Sequence, residues 1–247
     1  MRAPDAPTTG LLQVSGLTKS YGRFLALSDV AFSIRPGEVL GLIGPNGAGK
    51  TTLFECLAGV LPTDRGVVTL DGRALTPRDI NAQLFYVPDG VAPWPSQSVR
   101  WALDYVIGFF GGPAARREHV VKQLDLTPLL GSSVGTLSKG QRKRVGLAIG
   151  MLAPQPVLLA DEPFDGLDLR QSREAATALR AHAAEGRTLV LSIHQIADAA
   201  RVCDRFVLLS GGRVCGEGAT TELAALAASR GHVSAGRNLE EIFLALT

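Results

Sequence analysis

Two hydrophobic rhythms run along the chain. In "ALSDVAFSIR", Val30, Phe32 and Ile34 fall on one side and Ala31, Ser33 and Arg35 on the other, the period of a half-buried antiparallel strand. "LLQVSGLTKSYG" upstream reads as a strand too. "RPGE" is a turn: Pro36 presets φ and Gly37 accepts a positive one. "VLGLI" has no alternation, as expected of a central strand covered on both faces. A helix is predicted over about 49–58, stopped by Gly59 and Pro62. "VVTLDG" and "LFYVP" are further short strands, the second cut by Pro88.

From about 90 to 153 no strand pattern is evident. "DGVAPWPSQS" opens this section, and helices are predicted near 98–110, 114–126 and 139–152. In the last, Val145, Ala148, Ile149 and Leu152 share a face. "PVLLADEP" and "RTLVLSIH" return to buried-strand composition, with a helix between them near 170–185. "RFVLLSGGRVCGEG" is a hairpin turning at Gly211 and Gly212. "TTELAALAASR" is a helix with a threonine N-cap, and a glycine-bearing linker near 231–237 leads to a last short helix, "NLEEIFLAL", capped by Asn238. This organisation is α/β: one domain over 11–230 with a helical subdomain inserted at about 90–153, then a linker and short helix over 231–247.

With 247 residues and 46% hydrophobic content, the chain has enough apolar surface for a substantial core. Lys plus Arg number 25 against 23 Asp plus Glu, so charge gives no reason to expect a nucleic-acid partner. The densest basic patch, "RKR" at 142–144, reads as a solvated helix face. The three cysteines, Cys56, Cys203 and Cys215, form no CxxC pair, which argues against a zinc site or a disulfide framework. "MRAPDAPTTG" lacks the apolar stretch of a secretory signal. The apolar segment "WALDYVIGFFGG" contains Asp104 and is too short to span a bilayer, so a membrane role is expected to need a partner.

The chemistry starts at "GPNGAGKTT", residues 44–52. Gly44, Gly49, Lys50 and Thr51 occupy the fixed positions of G-x-x-x-x-G-K-[ST]. Glycines let successive N–H groups turn inward as an anion nest, and the helix that follows adds the positive end of its dipole. Lys50 supplies a mobile charge for β and γ phosphates, and the Thr51 hydroxyl is a ligand for Mg²⁺. "VLLADEP" delivers Asp161 and Glu162 to a strand's carboxyl end, Asp161 to hold Mg²⁺ and Glu162 to act as general base toward water. His194 in "LSIHQ" ends another apolar strand, where the γ-phosphate is expected.

With "LSKGQ" at 137–141, "FDGLD" and "SIHQ" added in order, the chain resembles the nucleotide-binding subunit of ATP-binding cassette (ABC) transporters, of bacterial export type, over about 11–247. The resemblance implies a P-loop, RecA-like α/β core with an antiparallel β subdomain and an inserted α-helical subdomain. It implies ATP hydrolysis with Mg²⁺, catalysed by Glu162, His194 and Lys50. Tyr21 would stack on adenine, while Gly44, Asn46, Gly47, Ala48, Gly49, Lys50, Thr51 and Thr52 would wrap the phosphates. Ser138, Gly140 and Gln141 would face the γ-phosphate of a second nucleotide-binding subunit, in a homo- or heterodimer closed by ATP, with Gly166, Leu167 and Asp168 lining that interface. Two positions depart from the family pattern. Lys139 replaces the signature's usual glycine, and Asp89 stands where a glutamine usually follows the strand. An acid at 89 is a hard ligand suited to Mg²⁺, which adds it to Thr51 and Asp161 as a metal residue.

The implied role is to power transport, in the direction of export, through a separate transmembrane permease from the cytoplasmic face of the membrane. "DGVAPWPSQS" is the docking loop, with Trp94 as an anchor or as part of a local packing cluster. "NLEEIFLAL" resembles the endings of export-type members and is equally readable as an amphipathic helix packed on its own domain. The alternative is a soluble ABC ATPase acting on ribosomes or DNA, against which stand the single cassette and the near-neutral charge. A metabolic P-loop kinase leaves "LSKGQ" and "SIHQ" unexplained.

Overall fold

A computed structural model describes residues 11–231 and 238–247; the linker read near 231–237 lies almost wholly outside the described residues. Two sheets organise the molecule. β1 (Leu12–Tyr21), β2 (Phe24–Ile34), β4 (Arg65–Leu70) and β5 (Arg73–Ala74) form an antiparallel sheet in the order β2-β1-β4-β5. β3 (Val39–Ile43), β6 (Leu84–Val87), β7 (Val157–Asp161), β8 (Thr188–Ile193), β9 (Arg205–Ser210) and β10 (Arg213–Gly218) form a second, in the order β10-β9-β3-β8-β7-β6. All its neighbours are parallel except the β9–β10 hairpin.

The absence of alternation in β3 has a plain cause. Leu40 and Leu42 point into one core, shared with the antiparallel sheet and α1 (Lys50–Leu57), while Val39 and Ile43 point into the other, filled by helices. On β2, Val30, Phe32 and Ile34 are buried, Ala31 is exposed and Ser33 half-buried, and Arg35 just past its end is exposed, in keeping with the period.

The helical subdomain comprises α3 (Val99–Phe110), α4 (Ala114–Gln123) and α5 (Lys139–Leu152). α5 is not a one-sided helix. It touches α3, α4, β6 and β7, and is buried nearly all round from Lys143 to Leu152. Gly150 allows this: a Cβ there would sit 2.7 Å from Val87 and 2.8 Å from Leu158, so the helix axis lies as close to the sheet as a backbone can. The reading of "RKR" as a solvated face is therefore corrected. Lys143 and Arg144 are buried, with the Arg144 guanidinium donating to the Leu124 and Asp125 carbonyls at 3.1 Å each. Their long stems run through the core and their charged tips reach polar atoms.

α6 (Leu169–Ala184) separates β7 from β8, and α8 (Thr220–Ser229) and α9 (Leu239–Leu246) close the chain. α9 packs on its own domain: Leu239, Ile242 and Leu246 are buried with Leu223 and Ala227. The Asn238 cap is present, accepting the Glu240 N–H at 3.1 Å. The threonine cap of α8 is not: Ala219 holds that position and its N–H donates to the Glu222 carboxylate at 2.7 Å. Two short helices escaped the sequence reading, α2 (Pro77–Gln83) and α7 (Ile196–Val202).

Candidate nucleotide-binding site

The loop 44–49 leaves β3, turns over and enters α1 at Lys50. Gly47 and Gly49 have φ of 81° and 103°, values that L side chains rarely adopt. At Gly44 a Cβ would lie 2.3 Å from the Leu209 carbonyl oxygen, so only glycine lets the loop lie against β9. No side chain caps the first turn of α1. Lys50, Thr51 and Thr52 of that turn line the cleft, so an anion there is a natural acceptor for its uncapped N–H groups.

That cleft, of about 390 Å³, is lined by Tyr21, Phe24, Ala26, Asn46, Gly47, Gly49, Lys50, Thr51, Thr52, Asp89 and Glu162. The Lys50 ammonium donates to the Gly44 carbonyl at 2.8 Å and lies 3.4 Å from Glu162 Oε1. The Thr51 hydroxyl donates to Asp161 Oδ2 at 2.8 Å. Asp161 is buried and also accepts from the Ser192 and Tyr86 hydroxyls. Burial, with Asp161 close by, raises the Tyr86 phenol well above its ordinary range, so it stays a donor. Glu162 leaves the strand at φ 48°, and its N–H donates to Ser192 Oγ at 2.9 Å. Its carboxylate meets His194 Nδ1 at 2.5 Å. A non-glycine residue in this region of φ carries strain, and here the bend aims Glu162 between Lys50 and His194.

The nucleotide chemistry fits these residues. Asp161 and the Thr51 hydroxyl are hard oxygen donors 2.8 Å apart, the kind Mg²⁺ takes. Among the described residues no group of three or more His, Cys, Asp or Glu side chains is placed to hold a metal ion. Asp89 lines the cleft, but its Oδ1 accepts from the Lys143 ammonium at 2.6 Å.

The remaining sequence candidates lie elsewhere. Ser138 caps α5, accepting the Gln141 N–H at 3.3 Å while Gln141 Oε1 accepts the Ser138 N–H at 2.9 Å. Gly140 is pressed on Gly166, whose carbonyl oxygen is 2.5 Å from where a Cβ would stand. Asp168 caps α6 through the Gln171 N–H at 2.8 Å. None of Ser138, Gly140, Gln141 or Asp168 lines the cleft. Sequence reasoning missed Phe24, paired with Tyr21 across the β1–β2 turn, and also Ser192, Tyr86 and Lys143. The second aromatic of "YGRF" was the available signal for Phe24.

Residues 27–165 match the family model described as ABC transporter. The chain belongs to the ABC transporter family. This ABC protein is 33% identical over 229 residues to a Nod factor export ATP-binding protein I of Ralstonia nicotianae, covering 89% of this chain and 70% of that one. It is 37% identical over 216 residues to a phosphonates import ATP-binding protein PhnC 1 of Natronomonas pharaonis, covering 83% and 91%. A solved structure of an ATP-binding subunit of an ABC transporter superposes with a TM-score of 0.83 at 30% identity, covering 96% of this chain and 99% of that one. The mixed α/β fold with two sheets is that of ABC ATPases, and the ABC family's activity is ATP binding and hydrolysis. Among the described residues no helix of this ABC ATPase is long and apolar enough to cross a membrane.

Proposed function

We propose that this chain is the ATP-hydrolysing subunit of a transporter, docked peripherally on the cytoplasmic side of a separate transmembrane permease, and that it works as a dimer closed by ATP. The observation that supports the dimer is the separation just described: Ser138, Gly140 and Asp168 lie outside the cleft that Gly47, Gly49, Lys50, Thr51 and Thr52 line, and a second copy or a related subunit would bring them to it. Tyr21 and Phe24 take the adenine, a stacking contact worth roughly 1–3 kcal/mol per base. Lys50 exchanges the Gly44 carbonyl for the β and γ phosphates. Thr51 and Asp161 would hold Mg²⁺, which neutralises charge on the phosphates in flight. Glu162 accepts the proton of the attacking water, and His194, 2.5 Å away, fixes that carboxylate's orientation.

The docking face is the loop 89–98 and the aromatic ladder beside it. Trp94 packs on Trp101 and Tyr105 at ring separations of 5.8 and 5.0 Å yet stays 37% exposed, so the anchor and packing readings both apply to it. Export is the proposed direction, supported by the Nod factor export relatives; the phosphonate-import relative carries the same kind of subunit in the opposite sense. The test is a Glu162→Gln variant, expected to lose turnover by at least about 10²-fold, the scale of general-base catalysis. It should still bind ATP and run as a stable dimer in light scattering with ATP and Mg²⁺. A monomer under those conditions overturns the dimer, and recovery of the protein with ribosomes and no integral membrane protein overturns the transport role.

A further inference from the structure

Lys143 sits in the second turn of α5 with a side chain only 5% exposed. Burying an ammonium is costly unless partners take up its charge and its hydrogens. Its Nζ has two: Asp89 Oδ1 at 2.6 Å and the Asp161 carbonyl oxygen at 3.1 Å. These partners come from different elements. Asp89 belongs to the loop after β6 and lines the phosphate cleft, and the Asp161 carbonyl is the last of β7, one bond before Glu162. One cation thus ties the helix that begins at Ser138 to both walls of the cleft. The neighbouring cations are engaged elsewhere: Lys139 on Asp165 at 2.5 Å and Arg142 on the Leu137 carbonyl at 2.5 Å. Among the described residues, Lys143 is the ion-pair partner that Asp89 has.

An acid beside a polyphosphate is repulsive unless its charge is cancelled. We propose that Lys143 is a positioning residue for ATP binding and hydrolysis. It neutralises Asp89 at the edge of the phosphate cleft, and through the Asp161 carbonyl it holds the strand end from which Glu162 projects. Asp89 then serves as the counter-ion of Lys143. This inference rests on the ATPase reading and assigns a function to a residue that composition alone places on the surface.

Two readouts on the full chain test it: ATP affinity by calorimetry with Mg²⁺ in a Glu162→Gln background, and steady-state turnover with residue 162 intact. Lys143→Met leaves Asp89 unpaired and frees the Asp161 carbonyl, so affinity and kcat should both fall by about tenfold or more, the order expected when a charge-assisted hydrogen bond is lost. Adding Asp89→Asn removes the repulsion and restores affinity but not kcat. Lys143→Gln with Asp89→Asn returns a donor to the carbonyl and should raise kcat at least about tenfold above the Met/Asn pair. Wild-type affinity and kcat in Lys143→Met, or equal affinity losses with and without Asp89→Asn, overturn the proposal. If melting shows that the Met variant does not fold, Lys143→Gln with and without Asp89→Asn decides the same point: affinity should be low in the first and recovered in the second. Failure of the unmutated protein to bind or hydrolyse ATP would instead sink the ATPase reading.

Discussion

Helices α1 and α5 both start beside glycines, and their first turns are finished in opposite ways. α1 has Gly49 at its cap and no side chain serving its N–H groups. α5 has a reciprocal pair, Ser138 and Gln141, each satisfying the other's backbone, and α6 repeats the device with Asp168 and Gln171. An uncapped first turn gains most of its hydrogen bonding from a ligand; a boxed one is stable unaided. On the proposal above, the α1 end is a complete phosphate cradle, and the α5 end is a prefabricated surface that meets phosphate only when a partner presents it.

The sharpest way to break this contrast is at Lys50. Lys50→Met should lower ATP turnover by about 10²–10³, the loss typical of one oriented charge at a reacting centre, while the chain still folds and melts cooperatively. Phosphate release and a thermal melt on the same sample check both halves. Next in size is Gly140→Ala. The new methyl would stand 2.5 Å from the Gly166 carbonyl oxygen, and overpacking of this kind costs about 1–3 kcal/mol in urea denaturation and, on the proposed dimer, would weaken its closure by ATP.

The far end of α5 offers a pH test. Arg187 donates to the Gly150 carbonyl at 2.7 Å and, at 2.8 Å, to the Nε2 of His182. Burial first, then the Arg187 and Arg116 charges, push the His182 imidazole from its ordinary 6.5 down to about 3. The unfolded chain therefore takes up this proton first as pH falls. Stability present above pH 6.5 drains away between 6.5 and 3, by about 1–2 kcal/mol on going from pH 7 to 5. Denaturation at both pH values should show that His182→Gln flattens the dependence. The smallest effect is expected from Ser138→Ala, about 1 kcal/mol from the monomer through the lost cap. A loss below a few tenths would mean that the box at α5 contributes no more than bare α1 does.

Legibility in the sequence followed the same divide. The cleft could be read from residues because its parts are contiguous: loop 44–52 and the ends of β7 and β8 each deliver a motif from one short stretch. What joins those parts was not readable. Ser192 bridges Asp161 and the Glu162 N–H, and Lys143 bridges Asp89 and Asp161, across separations that no local pattern encodes. The surface reading of 142–144 failed because periodicity weighs Lys and Arg as polar and cannot see that their stems are packed and their tips paired. α2 escaped although its box was written in the chain: Thr76 accepts the Asp79 N–H at 3.3 Å, with Pro77 at the first helical position. α7 has no side-chain cap to announce it.

The contact of Gly150 with Val87 and Leu158 gives α5 a pivot near one end, about which any tilt would swing the other. Twelve residues separate that pivot from Ser138, an arm of about 18 Å at helical rise. Tilting it by about 10° carries the Ser138 hydroxyl some 3 Å, roughly the length of a hydrogen bond. The same tilt would move Lys143, seven residues from Gly150, by about 2 Å, so its ties to Asp89 and the Asp161 carbonyl are what hold the tip in place.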